Sequence, residues 1–350
     1  MILKNLKNYN AQEIEEIIKN EHLPLYRAKQ IIHWIYKKFA TSIDEITELP
    51  KSLRESLSKE YYIGNIKLVE RKISKDSTEK FLWELEDKEK IESVLITDKS
   101  RLTLCISSQV GCPVKCRFCL TGRIGFKRNL HTWEIVDQFI QVSRLIKDEN
   151  KRITNIVFMG MGEPLLNFEN VVEALWRFKN LIEFSPRRIT VSTAGIIPAI
   201  KELPHKAPSV KLAISLNASD EKTRTFIMPV NKKYPLHELL KTLREYPLKS
   251  RERITFEYVM LKGINSSEKD ALRLGQILKG IPSKINLIPF NPWKGCELEK
   301  PDEWEILKFQ QTLISQGYSV FIRKSKGQDI LAACGQLKAL YLCSTASTML

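Results

Sequence analysis

Histidine is scarce in this chain, with five residues in 350, and the five are scattered. A histidine-built metal centre is therefore not indicated; His33 and His131 sit in or beside helical patterns and read as packing or capping groups. Long apolar runs are missing too. None reaches the ~18 residues that a membrane helix needs, so no membrane partner is expected. The first residues, Met-Ile-Leu-Lys-Asn-Leu-Lys-Asn, lack the apolar stretch of a signal peptide. The expected location is cytoplasmic. In that compartment the seven cysteines read as metal or catalytic groups, not as a disulfide framework. Acid is also in short supply: 41 Asp and Glu face 56 Lys and Arg, a net charge of +15. Polyanions, nucleic acid first, are the natural partners of such a surface.

The excess base is unevenly spread. Residues 1–63 hold ten Lys/Arg and nine Asp/Glu. Residues 115–128 hold Lys115, Arg117, Arg123, Lys127 and Arg128 with no acid. That concentration predicts a positive field at an active-site mouth; a solvated basic surface is the alternative. In the first segment Tyr26, Arg27, Lys29, Trp34 and Tyr36 fit a nucleic-acid handle and fit an aromatic helix core about equally well.

Periodicity divides the chain. Residues 1–63 read as a helical accessory domain for handling RNA, with Gln30–Lys38 amphipathic and Leu49-Pro50 breaking two helices. Residues 64–100 alternate with period two around Ile66–Val69, Phe81–Leu85 and Ile91–Ile96, a short antiparallel β extension. From 101 to 326 strand candidates at 101–107, 153–159, 187–192, 210–216, 253–260, 284–289 and 318–323 alternate with helical stretches. Thr132–Lys147 places Ile135, Phe139, Val142 and Ile146 on one stripe, and Asn167 is positioned to cap the next helix. Repeated strand–helix units give an α/β fold with a parallel sheet. Six or so strands suit a partial (β/α)6 barrel better than an eight-stranded closure. Residues 327–350 form a C-terminal segment, of which Ser344–Leu350 reads as a loose tail.

Chemistry in such barrels gathers where strands end, and the unusual residues obey this. Cys112, Cys116 and Cys119 follow the first strand. Gly160-Met161-Gly162-Glu163-Pro164 follows the second. Ser192-Thr193 ends the third and Ser215-Leu216-Asn217 the fourth. Asn291 follows the sixth, and Cys334 the last. Three cysteines spaced x3 then x2 differ from zinc patterns, although Cys105 is available as a fourth zinc ligand. Three thiolates on an iron–sulfur cluster leave one iron open, which is what gripping and cleaving S-adenosylmethionine requires. Glycines let backbone approach a ligand closely, and Glu163 offers a carboxylate to its ammonium.

The motif Cys112-x3-Cys116-x2-Cys119, with Phe118 before the last cysteine, resembles the radical S-adenosylmethionine superfamily. The strings Leu104–Cys112, Phe158–Leu165, Pro289-Phe290-Asn291-Pro292 and Ala332–Leu337, with Tyr26–Gln30, resemble the bacterial dual-specificity RNA methyltransferases of the RlmN family over nearly the whole chain. The resemblance implies radical methylation of carbon 2 of an adenosine in 23S rRNA, at the peptidyl-transferase centre, and in the anticodon loop of certain tRNAs. It implies a [4Fe-4S] cluster on Cys112, Cys116 and Cys119, S-adenosylmethionine, and an electron-donor protein. It assigns Cys334 as the methyl-carrying cysteine and Cys105 as the resolving thiol in a transient disulfide with Cys334. Glu92 becomes the proton acceptor, although on its own it reads as an exposed strand carboxylate. The cofactor pocket carries over to Gly162, Glu163, Ser192, Ser215, Leu216, Asn217 and Asn291. Relatives often have histidine where Asn217 stands, which puts that side-chain contact in doubt. Cys296 and Cys343 match no role and read as structural thiols. Three other readings remain: a carbon-8 adenosine methyltransferase, a zinc-bearing RNA-binding protein without activity, and a radical enzyme that activates another protein.

Overall fold

The structure is a computed structural model that describes residues 3–149 and 151–338. Two two-residue strands, β1 (Lys4–Asn5) and β2 (Tyr61–Tyr62), pair in parallel and tie off a helical domain containing α1 (Ala11–Asn20), α2 (Tyr26–His33) and α3 (Lys51–Leu57). Asn10 and Glu13 exchange backbone hydrogen bonds at the start of α1, at 3.0 and 2.6 Å, which satisfies two donors that a helix N-terminus leaves free. The apolar stripe of these helices, including Ile14, Ile18, Ile31 and Ile35, is fully buried.

Three antiparallel strands follow: β3 (Lys67–Ile73), β4 (Glu79–Glu84) and β5 (Lys90–Asp98). They are continuous with the sheet that comes after, because β5 pairs with β6 (Arg101–Cys105), Val94 opposite Cys105. A short hairpin, β7 (Gln109–Gly111) with β8 (Phe126–Asn129), flanks α4 (Leu120–Arg123). Strand–helix alternation then sets in. It comprises α5 (Thr132–Ile146), β9 (Asn155–Phe158), α6 (Phe168–Asn180), β10 (Ile189–Thr193), α7 (Ile197–Lys206), β11 (Lys211–Ser215), α8 (Glu221–Ile227), α9 (Leu236–Arg244), β12 (Ile254–Met260), α10 (Glu268–Ile277), β13 (Ser283–Pro289), α11 (Glu303–Ser315) and β14 (Ser319–Ile322). The ten-stranded sheet runs β14-β13-β12-β11-β10-β9-β6-β5-β4-β3. Its pairs from β6 to β14 are parallel, so the partial barrel holds six strands plus β14 at the edge.

The register sorts side chains between the faces, since paired residues point the same way and neighbours along a strand point oppositely. One face carries Leu104, Ile156, Phe158, Ile189, Val191, Leu212, Ile214, Ile254, Phe256, Ile285 and Leu287, all buried in the main core with the helices. The other face, the lumen, carries Cys105, Val157, Thr190, Ser192, Ala213, Ser215, Thr255, Glu257 and Asn286. Apolar area drives folding, so the helix-facing side holds the barrel and the lumen stays polar.

Both ends of the described residues are fastened to this barrel. Buried Lys7 closes an ion pair with buried Asp137 of α5, whose second oxygen accepts the Ile66 N–H at 2.8 Å. Arg177 of α6 donates to the Lys7 carbonyl. At the other end, residues 324–338 form a strap across the open side. Its Asp329 accepts from the Ser74 hydroxyl at 2.6 Å and the Lys75 N–H at 3.2 Å, in the turn between β3 and β4. Asp76 of that turn accepts the Gly327 N–H at 3.0 Å, and Lys80 donates to the Leu331 carbonyl at 3.2 Å. Cys343 and the segment Ser344–Leu350 lie outside the described residues.

Candidate functional site

The cysteine loop is stapled at both ends by the β7–β8 hairpin. Cys112 donates its N–H to the Gly125 carbonyl at 2.8 Å. Gly111 has φ +76°, and a Cβ there would stand 1.9 Å from the Gly125 oxygen, so the closure requires glycine. The hairpin was not foreseen: its strands are too short for a period-two pattern to register.

Within the loop, the Val114 and Lys115 N–H groups aim at the Cys112 sulfur, and those of Thr121 and Gly122 at Cys119. Burial pushes the free Cys112 thiol up to about 12, and Cys119 also rises. Burial, then the neighbouring Cys119 and Cys112, carries Cys116 well above its ordinary value. Thiols this desolvated gain from a metal that deprotonates them outright. The buried guanidinium of Arg224 also adjoins Cys116; burial lowers its pKa to about 10, while Cys116 and Glu221 act to raise it. It is held by the Leu216 and Ala194 carbonyls and by Asn231 Oδ1. Three mutually coupled sulfurs, N–H groups aimed at them and a buried cation beneath suit an anionic thiolate-bound cluster. Among the described residues no three His, Cys, Asp or Glu side chains converge tightly enough to chelate one metal ion. A cubane does not need such convergence, because each iron takes its own thiolate.

The glycine-rich loop after β9 lies against the same region. Gly162 has φ +103°, and a Cβ there would come 2.6 Å from the Gln109 Cβ. The Glu163 N–H donates to Gln109 Oε1 at 2.8 Å. Its buried carboxylate accepts from Ala194 N–H at 2.7 Å and Leu165 N–H at 3.1 Å. Burial outweighs these donors and raises its pKa to about 7. Glu163 thus already ties the ends of β9 and β10 together, and only its remaining lone pairs face a ligand.

Asn217 departs from the expected side-chain contact. It adopts φ +61° and is buried; its Oδ1 accepts the Val259 N–H at 2.8 Å and its Nδ2 donates to the Met228 sulfur at 3.2 Å. Both ends of the amide are engaged, and its carbonyl accepts from Asn265 Nδ2 at 2.7 Å, so a ligand would meet its backbone and not its side chain. Asn291 is also committed, accepting from Gln328 at 2.8 Å and donating to the Cys334 carbonyl at 3.2 Å. Ser192 and Ser215 line the lumen face at the ends of β10 and β11, and Leu216 is fully buried behind them.

The strap delivers Cys334 to the lumen. Leu120 N–H donates to the Gly335 carbonyl at 2.8 Å, and the Thr121 hydroxyl to the Leu337 carbonyl at 2.7 Å. Cys334 itself is exposed to solvent between buried Ala333 and buried Gln336. Burial, then the charge of Glu257, pushes its thiol up to about 11, and Cys119 acts in the same direction. Cys105, on β6, is raised by burial and by Cys334. The two thiols that the sequence places 229 positions apart are therefore electrostatic neighbours. Glu92, read from sequence as an exposed strand carboxylate, is instead 5 % exposed. The register sets it on the same face as Cys105. It meets Lys80 at 3.1 Å and accepts the Lys338 N–H of the strap at 2.7 Å.

Other expectations change. Of the five cations near the cysteines, Lys127 pairs with Glu89 at 2.6 Å and Arg128 with Asp87 at 2.6 Å and Glu134 at 2.8 Å. The β7–β8 hairpin carries both against acids from the β4–β5 turn and α5, so neither adds to a field at the mouth. Tyr36 is 1 % exposed with its hydroxyl beside Arg177, so it belongs to the core and not to an RNA handle, whereas Trp34 is partly buried against the core. Tyr26 is exposed with Arg27 stacked on it at 4.7 Å. Asn167 stands at the start of α6, but its side chain donates to the Ser108 and Leu130 carbonyls instead of capping. Cys296 packs in a small apolar cluster with Trp293 and Leu261. Glu257 and Asn286, joined at 2.8 Å in the lumen, carried no signal beyond the polar letters in their strands.

Comparison with known proteins agrees with this geometry. Residues 106–275 match the family model of the Radical SAM superfamily, and residues 4–63 that of the ribosomal RNA large subunit methyltransferase N-terminal domain. The chain is 45% identical to a dual-specificity RNA methyltransferase RlmN of Desulfosudis oleivorans, covering 97% of this chain and 94% of that one. It is 44% identical to a probable RlmN of Thermotoga neapolitana, covering 96% and 98%. A crystal structure of a radical SAM methyltransferase from Sphaerobacter thermophilus superposes with a TM-score of 0.93 at 38% identity, covering 96% of this chain and 100% of that one. With identity of this order over nearly the full length, the chain belongs to the RlmN family of dual-specificity RNA methyltransferases within the radical S-adenosylmethionine superfamily.

Proposed function

We propose that this enzyme methylates carbon 2 of an adenosine in 23S rRNA and in the anticodon loop of certain tRNAs, by way of a methylated Cys334. The observation that supports this reading is the placement of Cys334 on a strap whose next residue, Gly335, accepts the Leu120 N–H beside Cys119 at 2.8 Å, with Asn291 holding the Cys334 carbonyl at 3.2 Å. Carbon 2 of adenine lies between two ring nitrogens and has no lone pair with which to attack a sulfonium methyl. A methyl group must therefore be delivered as a radical and not by simple displacement.

Cys112, Cys116 and Cys119 would hold a [4Fe-4S] cluster. When bound, it would lend the electron that splits S-adenosylmethionine into a hydrogen-abstracting radical and take one back from the substrate adduct; an outside donor protein is needed to bring it to the reduced state. Gly162, Glu163, Ser192, Ser215, Leu216 and the Asn217 peptide line the space for the cofactor. Asn291 contributes by holding the Cys334 peptide. Cys334 first accepts a methyl group on sulfur and, after losing a hydrogen atom from it, bonds through that carbon to the adenine. Glu92 takes the proton from carbon 2 as the adduct gives up its unpaired electron; the carboxylate is buried on the face shared with Cys105, within reach of the strap. The Cys105 thiolate then attacks the Cys334 sulfur and breaks its bond to the methylene carbon, which takes up the proton held by Glu92 as the methylated base leaves; a thiol system reduces the disulfide that remains.

The test is anaerobic turnover of unmodified ribosomal RNA with S-adenosylmethionine and reductant, read by fragmentation mass spectrometry. A 2-methyladenosine product is expected; 8-methyladenosine would move the enzyme to its carbon-8 relatives. Cys334→Ala should retain the cluster absorbance and lose all product, and undiminished turnover would refute the methylcysteine route.

A further inference from the structure

We propose that the surface built by the outer flank of the cysteine loop and residues 222–234 is the docking site of an acidic one-electron carrier protein. The inference rests on the radical reading above, which requires an electron from outside the chain. Electron tunnelling weakens steeply with distance, so a carrier must touch the protein where little backbone separates it from the thiolates. The cysteine loop offers two flanks. Cys119, Leu120 and Thr121 face the strap, bonded to Gly335 and Leu337. That flank is covered by the chain itself and borders the space where the substrate base must meet Cys334. Pro113, Val114 and Lys115 line an open cavity of about 270 Å³ with Leu166, Ile196, Pro229, Val230, Lys233 and Tyr234.

This second flank has the composition of a docking surface. Lys115, Arg117, Lys222, Lys232 and Lys233 are all exposed. None of them makes an ion pair among the described residues. Arg117 stacks at 4.0 Å on Phe226, which is 45% exposed, and Lys233 lies 5.5 Å over Tyr234. The nearest acids are already engaged: Glu221 holds Asn231 and His237, and Asp220 caps α8 and meets Arg273. The patch is therefore a field of one sign around a small apolar hollow with two reachable rings. Aromatic and arginine side chains anchor interfaces, and a one-signed rim steers an oppositely charged partner without binding it tightly. Weak, small contacts of this kind suit electron-transfer encounters. A polynucleotide would also be drawn by the charge. However, the site where a base must be presented lies across the loop, and the hollow at the centre fits a protein side chain.

A small acidic flavodoxin is the probe. Lys232→Glu combined with Lys233→Glu reverses the rim without touching the cysteine loop. In the cluster-loaded enzyme the double variant should bind flavodoxin at least tenfold more weakly by fluorescence anisotropy, with a flatter salt dependence. Turnover driven by reduced flavodoxin should fall in step. Turnover driven by dithionite, and RNA affinity, should match the wild type. Unchanged flavodoxin affinity in the variant would overturn the docking site while dithionite turnover upholds the enzyme. Lost RNA affinity with intact flavodoxin binding would make this an RNA surface instead. No turnover of wild type with either reductant would remove the radical reading and the docking site together.

Discussion

At the amino-terminal end, a buried ammonium closes on a buried carboxylate and the guanidinium of Arg177 seals the joint. At the other end of the described residues, the strap is held by carboxylates at a surface turn, by single backbone hydrogen bonds at the loop, and by Glu92 at Lys338. The first fastening cannot be undone without stranding charge away from water. The second holds no buried ion pair of its own in the Asp76–Asp329 clasp, whose bonds can be exchanged for water one by one at little net cost each. The chemistry asks for this asymmetry. The accessory domain must keep its place, whereas Cys334 must meet a cofactor, a base and Cys105 in turn.

The comparison can be broken from the rigid side first. Lys7→Met leaves Asp137 buried without its cation and should cost roughly 3–5 kcal/mol, read as a lowered urea midpoint. A cost under about 1 kcal/mol would mean that the joint is as loose as the strap. On the other side, Asp329→Asn should leave the urea midpoint nearly unchanged. It should speed amide hydrogen exchange across residues 327–338 by roughly five- to tenfold, the scale of one lost hydrogen bond. An equal change throughout the barrel would show the strap to be part of the core.

The smallest effect is with pH. Burial tends to raise Asp76, but donors from Thr78 and Gly327 outweigh it and hold the carboxyl below its ordinary value. Hydrogen bonds from Ser74 and Lys75 do the same for Asp329. Carboxyls depressed in the folded state stabilise the clasp fully above their free value of about 3.9 and lose that contribution as pH falls through the folded values. Exchange in the strap should thus be flat from neutral down to about pH 5 and rise only in stronger acid, once the intrinsic chemical rate is divided out. A rise centred near neutrality would assign the latch to other groups.

The parallel strands were legible because each carries an apolar face with period two or a continuous apolar run, and the helices because their stripes match a 3.6 period. The cysteine motif announced itself by spacing. Other features had no local signature. Lys7 reads like any lysine in a charged terminus, and only the fold brings it to Asp137, 130 positions away. Tyr36 looked equally suited to RNA and to a core, and its burial beside Arg177 decided the matter. Lys127 and Arg128 looked unopposed, because their acids come from a turn some forty positions upstream and from α5. Asn167 and Asn217 sit where a cap and a ligand contact were foreseen, yet each spends its amide on joining neighbouring loops. Amide side chains can satisfy backbone from any direction, so their partners are set by tertiary geometry and not by neighbours in the chain.

The division of the sheet into an apolar outside and a polar inside has an evolutionary consequence. Because the helices hold the barrel from without, substitutions among inward residues such as Thr190, Ala213, Thr255 and Asn286 are freed from much of the burden of keeping the chain folded. Selection can rewrite the tunnel for new chemistry while the scaffold endures.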